Sequence, residues 1–409
     1  MSDRSAAPPR RRVAVTGLGA VSGYGWGVEA LWRGLRSGET RLGPFDVFDH
    51  SRHRTHLAAQ VPEPPPPSAR DGGRESAADR FALFAAVEAL AAAGLAAPLA
   101  DLDAGLWFGS STGGMLEAER FFARLLAEGR AAAIGALVSQ EVNGPGDAVA
   151  RRLGLTGPVQ TISSACASGA LAVGAAFQAV RAGEVEVALA GGSDSLCQLT
   201  YAGFNALRAV AEGPCRPFRG DREGMSLGEG AAVLVLEPLE RALARGATPL
   251  AEVCGAGFSC DAHHMTAPEP QGAGAAAALA AALADAGLPP ERIDFVNAHG
   301  TGTPHNDLAE YRALRRVFGE RAARLPLAAT KGLLGHLLGT AGAIEAVATV
   351  LCLARGEVHP VPGGGTADPE IGVDLVTGSP RPLAAEAAVS TSLAFGGSNA
   401  ALVFASCEG

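Results

Sequence analysis

Thr161-Ile-Ser-Ser-Ala-Cys-Ala-Ser-Gly169 joins two unlike stretches of chain. Before it, Gly157-Pro158 opens a short β-branched run, Val159 to Ile162. After it, Ala167 onward is alanine-rich and favours helix. A further apolar run, Val185 to Ala190, stops at Gly191-Gly192. The segment predicts strand, helix, strand, with Cys166 at the first junction. A thiol there faces the unpaired N–H groups and the positive end of the helix, which lower its pKa and favour thiolate. A buried structural cysteine is the other reading open to a free Cys.

The same alternation extends outward. Val13–Thr16 predicts a strand that turns at Gly17-Leu-Gly19; the next glycine is Gly23, so the spacing is wrong for a dinucleotide site. Arg80–Leu95 predicts a helix, Gly105–Gly109 a strand leading into the loop Ser110–Gly114, and Ala231–Leu236 another strand. After Gly255 a similar order returns, with helix Gly274–Ala286, strand Ile293–Asn297, helix Gly339–Ala354, and strands Val389–Leu393 and Ala401–Phe404. Strands and helices alternating in two similar halves imply an α/β fold built by internal duplication. The expected division is a flexible tail over 1–12, a first half over 13–255 that carries Cys166, and a second half over 256–409. Pro62–Pro67 is expected as a surface excursion.

Composition narrows the function. The 409 residues are 48% hydrophobic and 18% charged, enough for a large core. No uninterrupted apolar run predicts a membrane span. Arg10-Arg11-Arg12 precedes a short, glycine-rich strand and no cleavage-site pattern, so it reads as a tail and not as a signal, and a cytoplasmic location is expected. The formal net charge of −9 and the lack of a basic stripe exclude nucleic-acid binding. Seven cysteines without CxxC spacing argue against a disulfide framework and against a zinc site. Arg70, Arg74, Arg80 and Arg208 are candidates for a local basic patch facing an acidic partner, or are ordinary solvated arginines.

Two further segments bear on Cys166. Asn297-Ala-His-Gly-Thr-Gly-Thr-Pro304 follows a predicted strand, and Lys331-Gly-Leu-Leu-Gly-His336 precedes the small-residue run Gly339-Thr-Ala-Gly342. His299 and His336, each in a glycine-rich loop, together with a cysteine at an elbow, point to a catalytic set and away from core filler. Cys166 in Ser-Ala-Cys-Ala-Ser-Gly, His299 in Ala-His-Gly-Thr-Gly-Thr, and Lys331 and His336 in Lys-Gly-Leu-Leu-Gly-His resemble the β-ketoacyl-ACP synthase family. Phe395-Gly-Gly-Ser-Asn399 and Gly228-Glu-Gly230 fit the same pattern, and the resemblance runs from Val13 to Phe404. The Cys-His-His set is similar to the elongating branch and the polyketide ketosynthases.

The resemblance implies a thiolase-like fold, two duplicated halves in a layered α-β-α-β-α arrangement, and a ping-pong decarboxylative Claisen condensation. Cys166 would take an acyl chain from acyl carrier protein, and the carrier's malonyl unit would lose CO₂ and attack the thioester. The substrates ride on the carrier's phosphopantetheine, and no cofactor or catalytic metal is implied. His299 and His336 would stabilise the enolate, since negative charge needs donors fixed where it develops. The N–H groups of Cys166 and Phe395 would form the oxyanion hole. Lys331 would orient the His299 side and pair with Glu345, because a buried ammonium needs a partner. Asp307 and Glu310 would support the site. Thr301 and Thr303 match positions that hold the phosphopantetheine arm, and as turn residues they are equally well explained. Thr112, Phe204, Phe395 and His264 match the acyl pocket, its gate or its entrance, with His264 also readable as a structural loop residue. Arg208, with Arg70 and Arg74, would dock the carrier. Asn297, Glu310 and Glu345 resemble a structural monovalent-cation site of some members. A dimer is implied, pairing through Val159–Ile162, either with an identical chain or with a chain-length-factor-like homologue.

Thr391-Ser-Leu-Ala-Phe395-Gly-Gly has Ala394 where elongating enzymes have glycine, and Thr112 is more polar than the usual residue. Both suggest altered gating or selectivity, because alanine tolerates positive φ less well. Val21-Ser-Gly-Tyr-Gly-Trp-Gly27 is similar to ketosynthases of polyene-type type II polyketide systems. Competing readings are the active half of a ketosynthase/chain-length-factor heterodimer, a non-catalytic partner subunit, a CoA-dependent thiolase and a Cys hydrolase. The partner subunit would lack Cys166, the thiolase would need a second catalytic Cys, and the hydrolase would not need the Lys331 motif.

Overall fold

The computed structural model describes residues 11–63, 65–66, 75–129 and 134–407. Arg70, Arg74, Pro64, Pro67 and all but the last two residues of the expected 1–12 tail lie outside them.

The first repeat runs β1 (Val13–Ser22), α1 (Val28–Ser37), α2 (Ala77–Ala92), β2 (Ala104–Gly109), α3 (Met115–Glu128), α4 (Gly144–Leu153), β3 (Val159–Ile162), α5 (Ser168–Ala182), β4 (Val187–Asp194), α6 (Gln198–Ala206), β5 (Gly230–Pro238) and α7 (Leu239–Ala244). The second runs β6 (Ala251–Cys260), α8 (Ala273–Ala286), β7 (Phe295–Asn297), α9 (Pro304–Phe318), β8 (Pro326–Ala328), α10 (Lys331–Leu334), α11 (Ala341–Arg355), β9 (Ala387–Leu393) and β10 (Ser398–Ala405). In sheet order the first repeat reads β1-β5-β4-β2-β3 and the second β6-β10-β9-β7-β8, with Asp374–Leu375 beyond β8. The directions correspond strand for strand. β1/β5 and β6/β10 are antiparallel, as are β4/β5 and β9/β10; β2/β4 and β7/β9 are parallel, as are β2/β3 and β7/β8. The duplication expected from the order of elements is therefore present in the topology. β6 opens the second repeat, and a division after 255 would cut it; we place the joint before Ala251.

The repeats meet where β1 pairs antiparallel with β6. α5 and α11 fill the space between the two half-sheets, α2 and α4 cover one outer face, and α8 and α9 cover the other. The result is the five-layer α-β-α-β-α stack. Its middle layer is a core of small and branched residues, among them Ala172, Val173, Ala176, Ala343, Val347 and Val350. By length and composition Ala165–Ala182 and Leu338–Arg355 could each span a bilayer. Both belong to this buried middle layer, where an all-round apolar helix is expected.

Two sequence expectations are corrected here. Gly17-Leu-Gly19 is not a turn, because β1 continues to Ser22. A Cβ on Gly17 would lie 2.0 Å from the Ala89 carbonyl oxygen, and one on Gly19 1.8 Å from that of Ala85. The glycines let α2 press onto the strand. Gly255 and Gly257 of β6 do the same for Ala282 and Ala278 of α8, at 2.3 and 2.1 Å. Both strands carry their register shift at the corresponding place, Val15/Gly17 and Val253/Gly255. Likewise Gly191-Gly192 lies inside β4, where Gly191 faces the Ala232 carbonyl of β5.

Candidate active site

Equivalent turns of the two repeats converge. Cys166 sits between β3 and α5, and His336 between β8 and α11; His299 follows β7, and Phe395 follows β9. Cys166, His299, His336, Thr301, Thr303 and Phe395 line one cavity of about 370 Å³, with Arg208 and His305 among its other lining residues. Strand ends of open α/β sheets are where such clefts form.

The cysteine elbow is held in a costly conformation. Ala165 has φ +45°, a left-handed geometry that costs a non-glycine residue roughly 1–3 kcal/mol. The Ser168 hydroxyl fixes it, donating to the Ala165 carbonyl at 2.6 Å and accepting from the Ser164 N–H at 2.8 Å. The Ser111 hydroxyl also donates to the Ala165 carbonyl, at 3.2 Å. Burial pushes the Cys166 thiol up to about 11, opposed by Lys331 and by the backbone N–H groups of Phe395 and Cys166. The expectation of a lowered pKa is thus overturned in the resting site, because desolvation of the thiolate outweighs the stabilising groups. Those same two N–H groups are the pair expected to form the oxyanion hole.

Lys331 is 1% exposed. Its ammonium donates to the His299 carbonyl at 2.6 Å, to His299 Nδ1 at 3.1 Å and to Glu345 Oε1. Three donors meet three acceptors. An ammonium cannot accept, so His299 Nδ1 is the lone-pair nitrogen and its proton is on Nε2. His336 Nδ1 accepts from the Leu338 N–H at 3.0 Å, so its proton is also on Nε2. That Nε2 is buried and has no hydrogen-bond partner among the described residues. The imidazoles stand edge to face with centroids 5.5 Å apart. Burial, then Lys331, holds both far below the ordinary histidine range, so both are neutral near pH 7. Glu345, buried beside Lys331, is pushed up to about 7 by burial, with the ammonium opposing.

Two carboxylates on α9 shape the His299 loop. Glu310 accepts from the N–H groups of His299 (2.7 Å) and Gly300 (2.9 Å) and from the Thr391 hydroxyl (2.7 Å). Asp307 accepts from the N–H groups of Gly302 (3.1 Å) and Phe218 (2.7 Å). Thr301 and Thr303 face each other, with their hydroxyl oxygens 2.9 Å apart. His336 is tied by its N–H to the Ser226 carbonyl and by its carbonyl to the Gly228 N–H. A Cβ on Gly228 would lie 2.2 Å from the Leu334 carbonyl oxygen, which explains the Gly228-Glu229-Gly230 pattern.

Other expected residues are placed differently. The Thr112 hydroxyl donates to Asp194 at 2.9 Å and is absent from the cavity wall, so its polarity serves that bond. His264 is exposed and off the cavity wall; its Nδ1 accepts from the N–H groups of Thr266 and Ala267, the structural role of the two considered. Phe204 packs on Phe395 with centroids 5.6 Å apart, outside the cavity wall itself. Ala394 is extended, at φ −126° and ψ 155°, and the positive φ values fall on Gly396 and Gly397. The missing glycine therefore strains nothing here. The sequence reasoning missed Asp194, Ser111 and Ser168; a Ser-Asp-Ser string directly after Gly191-Gly192 was the only local signal.

Asn297 Oδ1, Glu345 Oε2 and Ser392 Oγ are buried oxygens without a hydrogen-bond partner among the described residues. Asn297 Nδ2 donates to the Glu345 carbonyl at 2.9 Å, which joins two of them. Buried oxygens are the donors a hard cation takes, but of the three residues implied for a monovalent site Glu310 already has both oxygens engaged. No group of three or more His, Cys, Asp or Glu that could hold a metal occurs among the described residues.

Residues 10–242 match the family model for the β-ketoacyl synthase N-terminal domain, and residues 250–364 that for its C-terminal domain. A 3-oxoacyl-[acyl-carrier-protein] synthase 2 of Synechocystis sp. is 38% identical over 407 residues, covering 97% of this chain and 98% of its own. The solved ishigamide ketosynthase/chain length factor superposes with a TM-score of 0.93 at 36% identity, covering 98% of this chain and 100% of that one. A type II polyketide ketosynthase, bound to a hexaketide and in complex with its acyl-carrier protein, superposes with a TM-score of 0.89 at 29% identity, with coverage of 98% and 100%.

Proposed function

The chain belongs to the β-ketoacyl synthase family, and from that membership we propose a decarboxylative condensation in which Cys166 is the acyl carrier of the site. The Cys166 sulfur attacks the thioester of an acyl-carrier substrate. The carrier's sulfur leaves and takes the thiol proton, and the N–H groups of Cys166 and Phe395 hold the oxyanion meanwhile. A malonyl carrier then enters. Its carboxyl C–C bond breaks, CO₂ departs, and the electron pair stays as an enolate whose oxygen accepts from the Nε2–H groups of His299 and His336. The enolate carbon bonds to the acyl carbonyl carbon, the C–S bond to Cys166 breaks with its electron pair on sulfur, which takes a proton from water, and a β-ketoacyl carrier two carbons longer leaves.

The tautomers carry this reading. Lys331 and the Leu338 N–H each occupy an Nδ1, leaving two neutral donors beside one thiol. Neutral donors stabilise developing negative charge without holding the charged malonyl group as an ion pair. Thr301 and Thr303 flank the phosphopantetheine arm, and Arg208 at the cavity wall meets the acidic carrier. Asn297 and Glu345 would hold the structural monovalent cation that the resemblance implies. Pathway, acyl length and the choice between an identical and a chain-length-factor-like partner belong to the same proposal, with a type II polyketide system favoured by the resemblance of Val21–Gly27. A cytoplasmic location fits a partner that is itself a soluble carrier.

Intact-mass measurement after incubation with a panel of acyl carriers tests it. Wild type should gain one acyl mass, and Cys166→Ala none. His299→Ala should gain the acyl mass and release no CO₂ from the malonyl carrier. Condensation by Cys166→Ala would refute the assignment.

A further inference from the structure

Asp194, at the end of β4, is fully buried and has no cationic partner among the described contacts. Its oxygens divide between two turns. Oδ1 accepts from the hydroxyls of Ser110 (2.8 Å) and Thr112 (2.9 Å) and from the N–H groups of Ser111 (2.9 Å) and Thr112 (2.8 Å). Oδ2 accepts from the Gly339 N–H at 2.7 Å, and from Ser111 at 3.1 Å. Each turn leads in one step to a reactive side chain. Ser111 holds the carbonyl of Ala165, the residue before Cys166. Gly339 follows Leu338, whose N–H holds His336 Nδ1. Ala165 (φ +45°) and Leu338 (φ +52°) are two of the five described non-glycine residues with positive φ. Such geometry persists only where the surroundings enforce it, and here one carboxylate reaches both indirectly, through Ser111 and Gly339. The contact is also tight, since a Cβ on Gly339 would lie 2.7 Å from Asp194 Oδ2 and from Ser111 Oγ.

We propose that Asp194 is a positioning residue that sets the separation of the Cys166 thiol and His336 by clamping together the two strained turns that carry them. The proposal rests on the condensation reading above. Asp194→Asn keeps the shape and replaces one acceptor oxygen with a donor, which then faces the N–H groups of Ser111 and Thr112 at the Oδ1 position, or of Gly339 and Ser111 at the Oδ2 position. Misplacement of about 1 Å costs on the order of 100-fold in rate. The folded variant should therefore lose about 100-fold in condensation kcat, with KM for the malonyl carrier within about threefold, the pattern of an interaction made only in the transition state. Ser111→Ala releases the Cys166 side alone; it should slow acyl loading about tenfold and leave malonyl decarboxylation within about twofold.

A merely structural role predicts no such split, with both half-reactions falling together in proportion to the folded fraction. Folded Asp194→Asn with both half-reactions within about threefold of wild type overturns the clamp. If that variant does not fold, Ser111→Ala decides, and unchanged loading overturns the clamp. If wild type itself fails to decarboxylate a malonyl carrier, the condensation reading falls instead. The clamp is then judged by iodoacetamide alkylation of Cys166, where an equal rate and pH profile in wild type and Ser111→Ala would refute it.

Discussion

Lys331 has three N–H donors and three buried acceptors, so its loss should tell on both stability and chemistry. Lys331→Met leaves Glu345 buried beside an apolar neighbour, which costs about 3–5 kcal/mol; denaturant unfolding should register it. Among folded molecules His299 is free to change tautomer, so decarboxylation should fall further than acyl loading. Acid acts on the same kind of group. His359 is fully buried, its Nε2 lacks a hydrogen-bond partner among the described residues, and burial lowers its pKa to about 4. A depressed histidine contributes stability that is complete above its unfolded value near 6.5 and lost as pH falls from there towards 4, about 3 kcal/mol in all. The melting temperature should drop across that window, and less so in His359→Gln. Cys166, His299, His336 and Lys331 were legible in the sequence because each stands in a short glycine-flanked string. Asp194 was not. Its partners are 82 to 84 and 145 positions away, and nothing local marks a residue whose role is to join distant turns.

At the scale of elements the sequence was clearest where apolar periodicity was unbroken. The expected Val159–Ile162 strand and Gly274–Ala286 helix recur almost unchanged as β3 and α8. It was least clear where glycine serves packing instead of turning. Gly17 and Gly255 read as breaks because local propensity favours that, yet each is a strand residue against which a helix backbone rests. Gly17→Ala should therefore destabilise by about 1–3 kcal/mol through overpacking. Gly43→Ala, where a Cβ would meet nothing within 4 Å, serves as the control and should change little. Urea midpoints compare the two. Helices α1, α3, α4, α6, α7, α9 and α10 escaped notice, and α9 shows why. Pro304–Phe318 is rich in charge, and its inward polar residues Asp307 and Glu310 turn towards the loop they hold, so its buried face does not read as apolar.

For the whole molecule the exposed end of the sheet matters most. Among the described residues β3 pairs with β2 alone, Val159 is 38% exposed, and Phe122, Leu126, Ile134 and Val138 are exposed as well. An open β-branched edge suits pairing across a two-fold axis. Thr161→Pro, which removes an edge N–H because the even-numbered residues of β3 bond to β2, should shift the light-scattering mass at micromolar concentration from dimer towards monomer; a monomeric wild type would contradict the expected assembly. The seam between the repeats has a different consequence. β1 and β6 share the register pairs Val13–Val253, Ala14–Glu252 and Val15–Ala251, and on the far side of β6, Glu252 pairs with Ala405 of β10. The first and last described strands, β1 and β10, thus begin and end one strand apart, beside the turn that links the repeats. A circular permutant, closed by a short linker from Ser406 to Arg12 and opened at Gly246, would carry the second repeat first and keep every strand pairing. Which repeat is translated first is a matter of genetic order that the architecture does not require.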